Sequence, residues 1–134
     1  MRKELVTVLA IRLGTLVVPA QDAVRPQPRA FVLNCPGGDC PLLTGLPQTA
    51  GVRGGSVRLK PGESVGWHST AENEETLVIL HGSGVAKIDG HPDMRLTEKM
   101  LAYIPPATRH NVTNNGTQIL EYVWIVASAK SSAR

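Results

Sequence analysis

The chain has 134 residues, of which 42% are hydrophobic and 19% are charged, a composition that is ordinary for one globular domain. Its net charge of +3 comes from Lys and Arg residues dispersed along the chain, and only 4% of the residues are aromatic. Nucleic-acid surfaces cluster basic residues or alternate them with aromatic ones, so no nucleic-acid partner is expected. No apolar stretch approaches the roughly 20 residues of a membrane-spanning helix, so no membrane partner is expected either.

Residues 1–52 form a predicted N-terminal arm with edge strands, because their pattern is irregular and rich in proline. Short strands are expected near 4–8, 16–18 and 31–34, although the apolar spacing of the first also suits a helix. The first 20 residues have the faint outline of a signal peptide. Arg12 interrupts their apolar run and Glu4 spoils the positive start, so we interpret the segment as an arm and expect a cytoplasmic protein.

The two cysteines, Cys35 and Cys40, enclose the sequence Pro-Gly-Gly-Asp. A zinc site would need four ligands, and redox pairs more often have two residues between their cysteines. Because thiols in the cytoplasm usually stay reduced, we predict a pair of reduced thiols in a tight loop. A conditional disulfide is the alternative.

From Arg53 onward the pattern becomes regular and predicts a barrel domain over residues 53–127. Turn sequences such as Pro61-Gly62 and Asp89-Gly90 separate short apolar segments, and none of these segments has the 3.6-residue period of a helix. Strands are predicted at 56–60, 75–80, 85–88, 94–96, 100–104, 111–113 and 118–126. Closely spaced strands with turns between them indicate an all-β sandwich or barrel. Residues 128–134 are expected to be a flexible C-terminal tail.

Two segments of this region share a recognisable spacing of Gly, His, Glu, Pro and Asn. The first segment contains Gly62, His68, Glu75 and Gly82, and the second contains Pro105, His110 and Asn114. Together they resemble the two sequence motifs of the cupin superfamily, and the resemblance covers about residues 55–126. It implies a double-stranded β-helix, or jelly-roll, barrel with an irregular N-terminal arm. Because one fold can host many unrelated activities, it indicates the fold more strongly than the reaction.

The resemblance also implies that His68, Glu75 and His110 meet at the mouth of the barrel. Alternate residues of a strand share a face, so Glu75 shares one with Leu77 and Ile79, and a buried carboxylate needs a partner. Two imidazoles and one carboxylate are the ligand set of open-site divalent metals such as Zn, Fe, Mn, Ni or Co. We therefore predict a divalent metal site. A metal-free, hydrogen-bonded cluster is the alternative.

Two positions depart from the cupin motifs. Thr70 stands where the second His of the first motif is expected, which removes one of the four usual protein ligands, although Thr70 could hydrogen-bond a metal-bound water. Glu72 or Glu74 could replace the lost ligand, but solvated loop charges are the preferred interpretation. Ala107 stands where the second motif has Gly, which predicts a backbone without a positive φ at this position.

The other conspicuous side chains are assigned structural roles. His81, His91 and Arg109 are expected to face solvent, because the two histidines lie at turns and Arg109 alternates with His110. Trp67 is expected to pack in the core, with a pocket wall as the alternative. Core packing is also preferred for three aromatic residues of strands, with lining of the barrel as their alternative: Tyr103, Tyr122 and Trp124.

Three functions are consistent with this sequence. The first is a metal-dependent enzyme, such as a dioxygenase or isomerase, acting on a small organic molecule. The second is a module that binds or senses a small ligand without turnover, and the third is metal-free acid–base catalysis by a His–Glu pair, as in epimerases. A metal-binding cupin is favoured, with its reaction unassigned. A homodimer is expected, because cupins commonly pair through an N-terminal segment and an edge strand, and an open strand edge needs cover.

Overall fold

Eight β-strands form the regular structure of residues 25–129, the part of the chain that this computed structural model describes. Within that range there is no helix, and therefore none that could span a membrane. The strands are β1 (Gly38–Thr44), β2 (Arg53–Leu59), β3 (Asn73–His81), β4 (Ser83–Ile88), β5 (Met94–Thr97), β6 (Leu101–Ile104), β7 (His110–Thr113) and β8 (Leu120–Ser128). All pairings are antiparallel, within one sheet of order β1-β2-β8-β3-β6 and another of order β5-β4-β7. The all-β prediction is confirmed.

The seven strands predicted after Arg53 are all present, with their ends displaced by a few residues. The strand expected at 31–34 is wrong: this segment pairs with no strand of the described chain, and Val32 is 84% exposed. Instead β1 follows it, in a segment whose proline, Pro41, coincides with a register shift against β2. Proline donates no hydrogen bond to a sheet and is found at edges and bulges. The strands expected at 4–8 and 16–18, and most of the predicted tail at 128–134, lie outside the described residues.

Period-two alternation places the core between the two sheets. On β3, Glu75, Leu77 and Ile79 are buried, whereas Thr76 and Val78 between them are only half-buried. Side chains of a strand point alternately to opposite faces, so one face of β3 lines the interior. The buried apolar side chains of both sheets form one cluster: Val57, Leu59, Leu77, Ile79, Ala86, Leu96, Ala102, Ile104, Val112, Leu120 and Tyr122.

Asn114 closes one end of the barrel. Its side chain is fully buried, and its Nδ2 donates to the backbone oxygens of Leu59 (2.9 Å) and Gln118 (2.8 Å). Its Oδ1 accepts a hydrogen bond from the N–H of Gly116 at 3.0 Å. One buried amide therefore ties the end of β2 to the turn that leads into β8, and all of its polar atoms are paired.

Close packing at the same end requires a glycine at position 84. A Cβ there would lie 2.6 Å from Cδ2 of Leu120 and 2.7 Å from the backbone oxygen of Thr113. Only glycine lets the backbone approach its neighbours this closely. This end of the barrel is therefore closed, and the opposite end remains for a cavity.

Cys35 and Cys40 form a disulfide, so the prediction of reduced thiols is wrong. The chain turns between them at Gly38, whose φ of +71° is accessible to glycine, and the two Cα atoms come within 5.7 Å. This separation lies in the range that a disulfide needs. The prediction failed because it relied on the expected compartment, whereas this tight turn brings the two thiols together.

We expect the double substitution Cys35→Ser with Cys40→Ser to lower the free energy of unfolding by about 2 kcal/mol. A bridge across so short a loop removes only modest entropy from the unfolded chain. Urea denaturation with and without a thiol reductant measures the change. Reduced wild type should match the double variant, and the variant should not respond to the reductant. If the wild type is equally stable in both conditions, the bridge contributes nothing.

The backbone of Ala107 has a φ of +55°, which contradicts the prediction made for this position. Ala107 follows Pro106 in a turn, and its N–H donates to the backbone oxygen of Ala71 at 2.6 Å. A turn with proline at its first central position often requires a positive φ at the second. The turn and its hydrogen bond therefore outweigh the local preference of alanine, and the position keeps the conformation of the glycine that it replaces.

We expect Ala107→Gly to raise the free energy of unfolding by about 1 kcal/mol, because glycine adopts a positive φ without the steric cost that a Cβ incurs. Ala102→Gly, on β6, is the matched control and should lower stability. Glycine makes the unfolded chain more flexible without relieving any strain in the strand, and a buried methyl group is lost. Thermal unfolding of both variants measures the two signs. Destabilisation by both would contradict the assignment of strain to Ala107.

Candidate metal site

His68, Glu75 and His110 converge at the open end of the barrel. Glu75 points inward from β3, between its cross-strand partners Ile104 and Val126, and is 5% exposed. His110 begins β7 and is fully buried. His68 lies in the loop before β3, and it exchanges two backbone hydrogen bonds with His110, at 3.0 and 2.9 Å. This bridge sets the two imidazole rings side by side, with centroids 4.3 Å apart.

Backbone carbonyls hold both imidazole rings in one orientation. Nδ1 of His68 lies 3.0 Å from the oxygen of Gly66, and Nδ1 of His110 lies 3.0 Å from the oxygen of Thr108. A carbonyl oxygen only accepts hydrogen bonds, so in each neutral ring Nδ1 carries the hydrogen and Nε2 keeps its lone pair. Carbonyl partners of this kind orient the histidine ligands of metals in many proteins.

The two free nitrogens face the same carboxylate oxygen. Oε2 of Glu75 lies 3.2 Å from Nε2 of His110 and 3.9 Å from Nε2 of His68. One ligand atom from each of the three residues fits within 4.8 Å of the others. Among residues 25–129, this is the group of His, Cys, Asp and Glu side chains close enough to share an ion.

Oε2 of Glu75 and Nε2 of His110 are buried, and no hydrogen bond within the described structure satisfies either atom. With the hydrogen of His110 on Nδ1, two acceptors face each other across 3.2 Å, which is unfavourable away from water. A shared cation or an added proton removes the conflict. Because the set combines two imidazoles and one carboxylate, it fits a divalent transition metal.

The pKa of His110 is raised, which also shows that this position favours positive charge. Burial lowers this pKa, but the Glu75 carboxylate and the Thr108 carbonyl together raise it by more, so that the net shift is upward from the ordinary value. The site therefore attracts a cation. Either a metal ion or a proton on Nε2 would supply this positive charge.

A cavity of about 210 Å³ opens above the three residues. Its walls are mixed: valines from several strands and the rings of Tyr122 and Trp124 form the apolar part, and charged and polar side chains form the rest. Pockets for drug-sized molecules are usually larger, so this cavity suits a ligand of a few heavy atoms. The expectation that Tyr122 belongs to the core is confirmed by its 3% exposure, and Trp124 serves as a cavity wall.

None of the three candidates for a replacement ligand completes the set. The hydroxyl of Thr70 lines the cavity but donates to the backbone oxygen of Asn73 at 2.8 Å. Glu74 points to the outer face of the sheet, where its carboxylate accepts a hydrogen bond from Tyr103 at 3.1 Å. Glu72 is exposed and is absent from the cavity wall. Within the described chain the candidate site therefore has three protein ligands.

Two charged cavity residues were missed from the sequence: Arg53 and Asp39. Arg53 begins β2 and shares the inward face with Val57 and Leu59, both buried, so the alternation of that strand could have found it. Asp39 lies inside the disulfide loop, and its carboxylate accepts a hydrogen bond from Nε1 of Trp124 at 2.7 Å. Nothing in the irregular pattern of that segment indicates where Asp39 points.

Trp67 and Tyr103 are exceptions to the prediction that aromatic residues pack in the core. Trp67 lies in an irregular loop and is 43% exposed, and the Arg109 guanidinium stacks 4.8 Å from its ring centroid. Tyr103 is 52% exposed on the outer face of β6. Arg109, His81 and His91 are exposed, as expected.

Comparison with known proteins identifies the family. The family described as "Cupin domain" matches residues 55–126, which is more than half of the chain. The chain therefore belongs to the cupin family. No curated protein sequence matches it at a significant level.

Several solved structures share this fold. A Bacillus halodurans protein aligns with a TM-score of 0.64 and 22% identity, covering 78% of this chain and 85% of that one. A Klebsiella pneumoniae protein with a double-stranded β-helix domain gives 0.62 and 17%, covering 79% and 95%. The cupin domain of Cnp3 from Schizosaccharomyces pombe gives 0.60 and 16%, covering 67% of this chain and 63% of that one. These likenesses confirm the double-stranded β-helix fold.

Proposed function

We propose that this cupin binds a divalent metal ion through Nε2 of His68, Oε2 of Glu75 and Nε2 of His110. The observation that carries the proposal is the pair of buried acceptor atoms, on Glu75 and His110, that face each other without a hydrogen bond. The carbonyls of Gly66 and Thr108 support it, because they leave both Nε2 lone pairs free for the ion. Zn, Fe, Mn, Ni and Co all accept this ligand set.

A metal held by three protein ligands keeps coordination positions open for a small molecule, and it acts as a Lewis acid on a bound oxygen. The chain contributes the rest of the environment. Val57 and Val112 exclude water from one side of the cavity, and the Thr70 oxygen offers lone pairs to a ligand hydroxyl. We propose a small organic molecule as the ligand, since the cavity holds about 210 Å³.

The geometry supports binding of a metal and a small ligand, and it does not favour one particular reaction. A dioxygenase, an isomerase and a sensing module would all use the same three ligands, and the described residues of the cavity include no separate histidine base that would distinguish them. Metal-free acid–base catalysis is the second candidate. The 3.2 Å separation of His110 and Glu75 favours it, because a proton on Nε2 would also satisfy both atoms.

Metal content decides between these two functions. We expect native wild-type protein, analysed by plasma mass spectrometry, to carry a transition metal that Glu75→Gln and His110→Ala each reduce at least tenfold, because each variant loses a ligand. His81→Ala, a substitution of an exposed histidine, is the control and should leave the content unchanged. Equally negligible metal in all four proteins, after incubation with each of the five ions, would leave the acid–base pair as the function.

We further propose that the chain forms a homodimer. The outer face of the larger sheet exposes apolar side chains, with Leu101 at 69% and Ile125 at 38%, and exposed apolar patches commonly contact another protein. Because Leu101 lies on the edge strand β6, a second copy could cover both the face and the edge.

We expect Leu101→Glu to shift the mass measured by light scattering from a dimer to a monomer, because a charge in an apolar interface is strongly unfavourable. Lys87→Glu, on the exposed face of the smaller sheet, controls for the added charge and should remain dimeric. A monomeric wild type at working concentration would refute the dimer.

The cytoplasmic location stays a proposal. It rests on the interrupted apolar run near the N-terminus, whereas the Cys35–Cys40 disulfide is typical of oxidising compartments. Trapping free thiols in intact cells before lysis resolves the difference. Labelled cysteines would support the cytoplasm, and unlabelled ones would support an oxidising compartment.

A further inference from the structure

The register of the larger sheet places Arg53 level with the candidate metal site. Arg53 is the partner of Val126 across β2 and β8, and Val126 is the partner of Glu75 across β8 and β3. Residues directly opposite one another in antiparallel strands share a face. Since neighbouring strands lie about 4.8 Å apart, the backbones of Arg53 and Glu75 are about 10 Å apart, and both side chains reach the same cavity.

The Arg53 guanidinium has no hydrogen-bond or ion-pair partner among the residues that the structure describes. No carboxylate of residues 25–129 forms an ion pair with it, although Arg58, five residues further along β2, pairs with Glu121 on the outer face. The aliphatic part of the Arg53 side chain lies against Gly45, where an added Cβ atom would be 3.5 Å from Cγ of Arg53. Asp39 shares the cavity wall but is hydrogen-bonded to Trp124. The five donors of the guanidinium are therefore available to a ligand.

The charges of the cavity change sign when a divalent ion binds. When both histidines are neutral, Asp39 and Glu75 contribute two negative charges and Arg53 contributes one positive charge, so the cavity without metal is negative by one. With neutral histidines, a divalent ion makes it positive by one. A monoanion then balances the charge, and it can do so only in the metal-loaded protein.

We propose that Arg53 anchors the carboxylate of a small organic monoanion whose second oxygen reaches the metal, an inference that rests on the metal site proposed above. A guanidinium holds a carboxylate through two parallel hydrogen bonds, a geometry that lysine cannot reproduce. Val126, which is 3% exposed, lies between the two anchoring points and presents an apolar surface to the carbon atoms of the ligand. A 2-hydroxy acid of a few carbons has this chemistry.

Lactate and its neutral analogue lactamide are suitable probes, because they differ in charge and hardly in shape. Protein loaded with Co²⁺ and freed of unbound metal is titrated with each, and the visible Co²⁺ absorption reports binding at the metal. We expect Arg53→Met to weaken lactate binding about 10- to 100-fold and to leave lactamide binding and Co²⁺ affinity unchanged. Arg53→Lys should be intermediate. Arg58→Met, on the same strand but the outer face, is the matched control and should behave as wild type.

The outcomes separate the two proposals. If wild-type protein takes up no Co²⁺, the proposed metal site is wrong, and the proposed role of Arg53 is then wrong as well. If Co²⁺ binds but lactate either leaves its spectrum unchanged or binds equally well to wild type and Arg53→Met, the anchor is wrong and the metal site stands. Loss of lactate binding in Arg53→Met alone, with Co²⁺ retained, supports both.

Discussion

Glu75 carries a carboxylate into the inside of the barrel, and the open end is arranged around that charge. Its Oε2 lies 3.2 Å from Nε2 of His110. In the neutral ring this nitrogen keeps its lone pair, because the hydrogen is on Nδ1, which donates to the Thr108 carbonyl. Two acceptors this close are stable only with positive charge between them, because buried polar atoms without partners are expensive. The backbone bridge to His110 also holds His68 in place, so that Nε2 of His68 is a third ligand atom for the same positive charge. The raised pKa of His110 follows from this constraint, and so do the metal site and the anionic ligand that we propose.

The strands after Arg53 were predicted because they depend on short-range spacing, and the meeting of His68, Glu75 and His110 was predicted because the chain resembles the cupin motifs. Period-two alternation brings Glu75 inward with Leu77, and the motif spacing supplies the rest. Features that depend on three-dimensional context were missed. The disulfide depends on a glycine turn, β1 contains a proline that hides its alternation, and the conformation of Ala107 depends on a hydrogen bond to a distant loop. Local preferences cannot reveal these, since tertiary contacts override them.

The loss of the second motif histidine changes the site without disorganising it. Thr70 fills the position and satisfies its hydroxyl on the backbone of Asn73, so that no buried polar atom is left there without a partner. In the proposed metal site, one imidazole fewer leaves more of the coordination sphere open to an incoming molecule. Arg53, at the same level of the sheet, is the second point of attachment that we propose for that molecule. The smaller ligand set and the unpaired guanidinium therefore act in the same direction.

The two ends of the barrel have separate tasks. At the closed end, Asn114 and Gly84 allow almost no substitution, since one satisfies three backbone groups and the other fits where any side chain would clash. The open end has no such structural duty, apart from the buried faces of its strands. Residues that line the open end can therefore be substituted one at a time while the closed end and the core keep their packing. A scaffold divided in this way is suited to redesign for new ligands, which should begin at the cavity-lining positions 53, 70 and 39 rather than in the buried core below them.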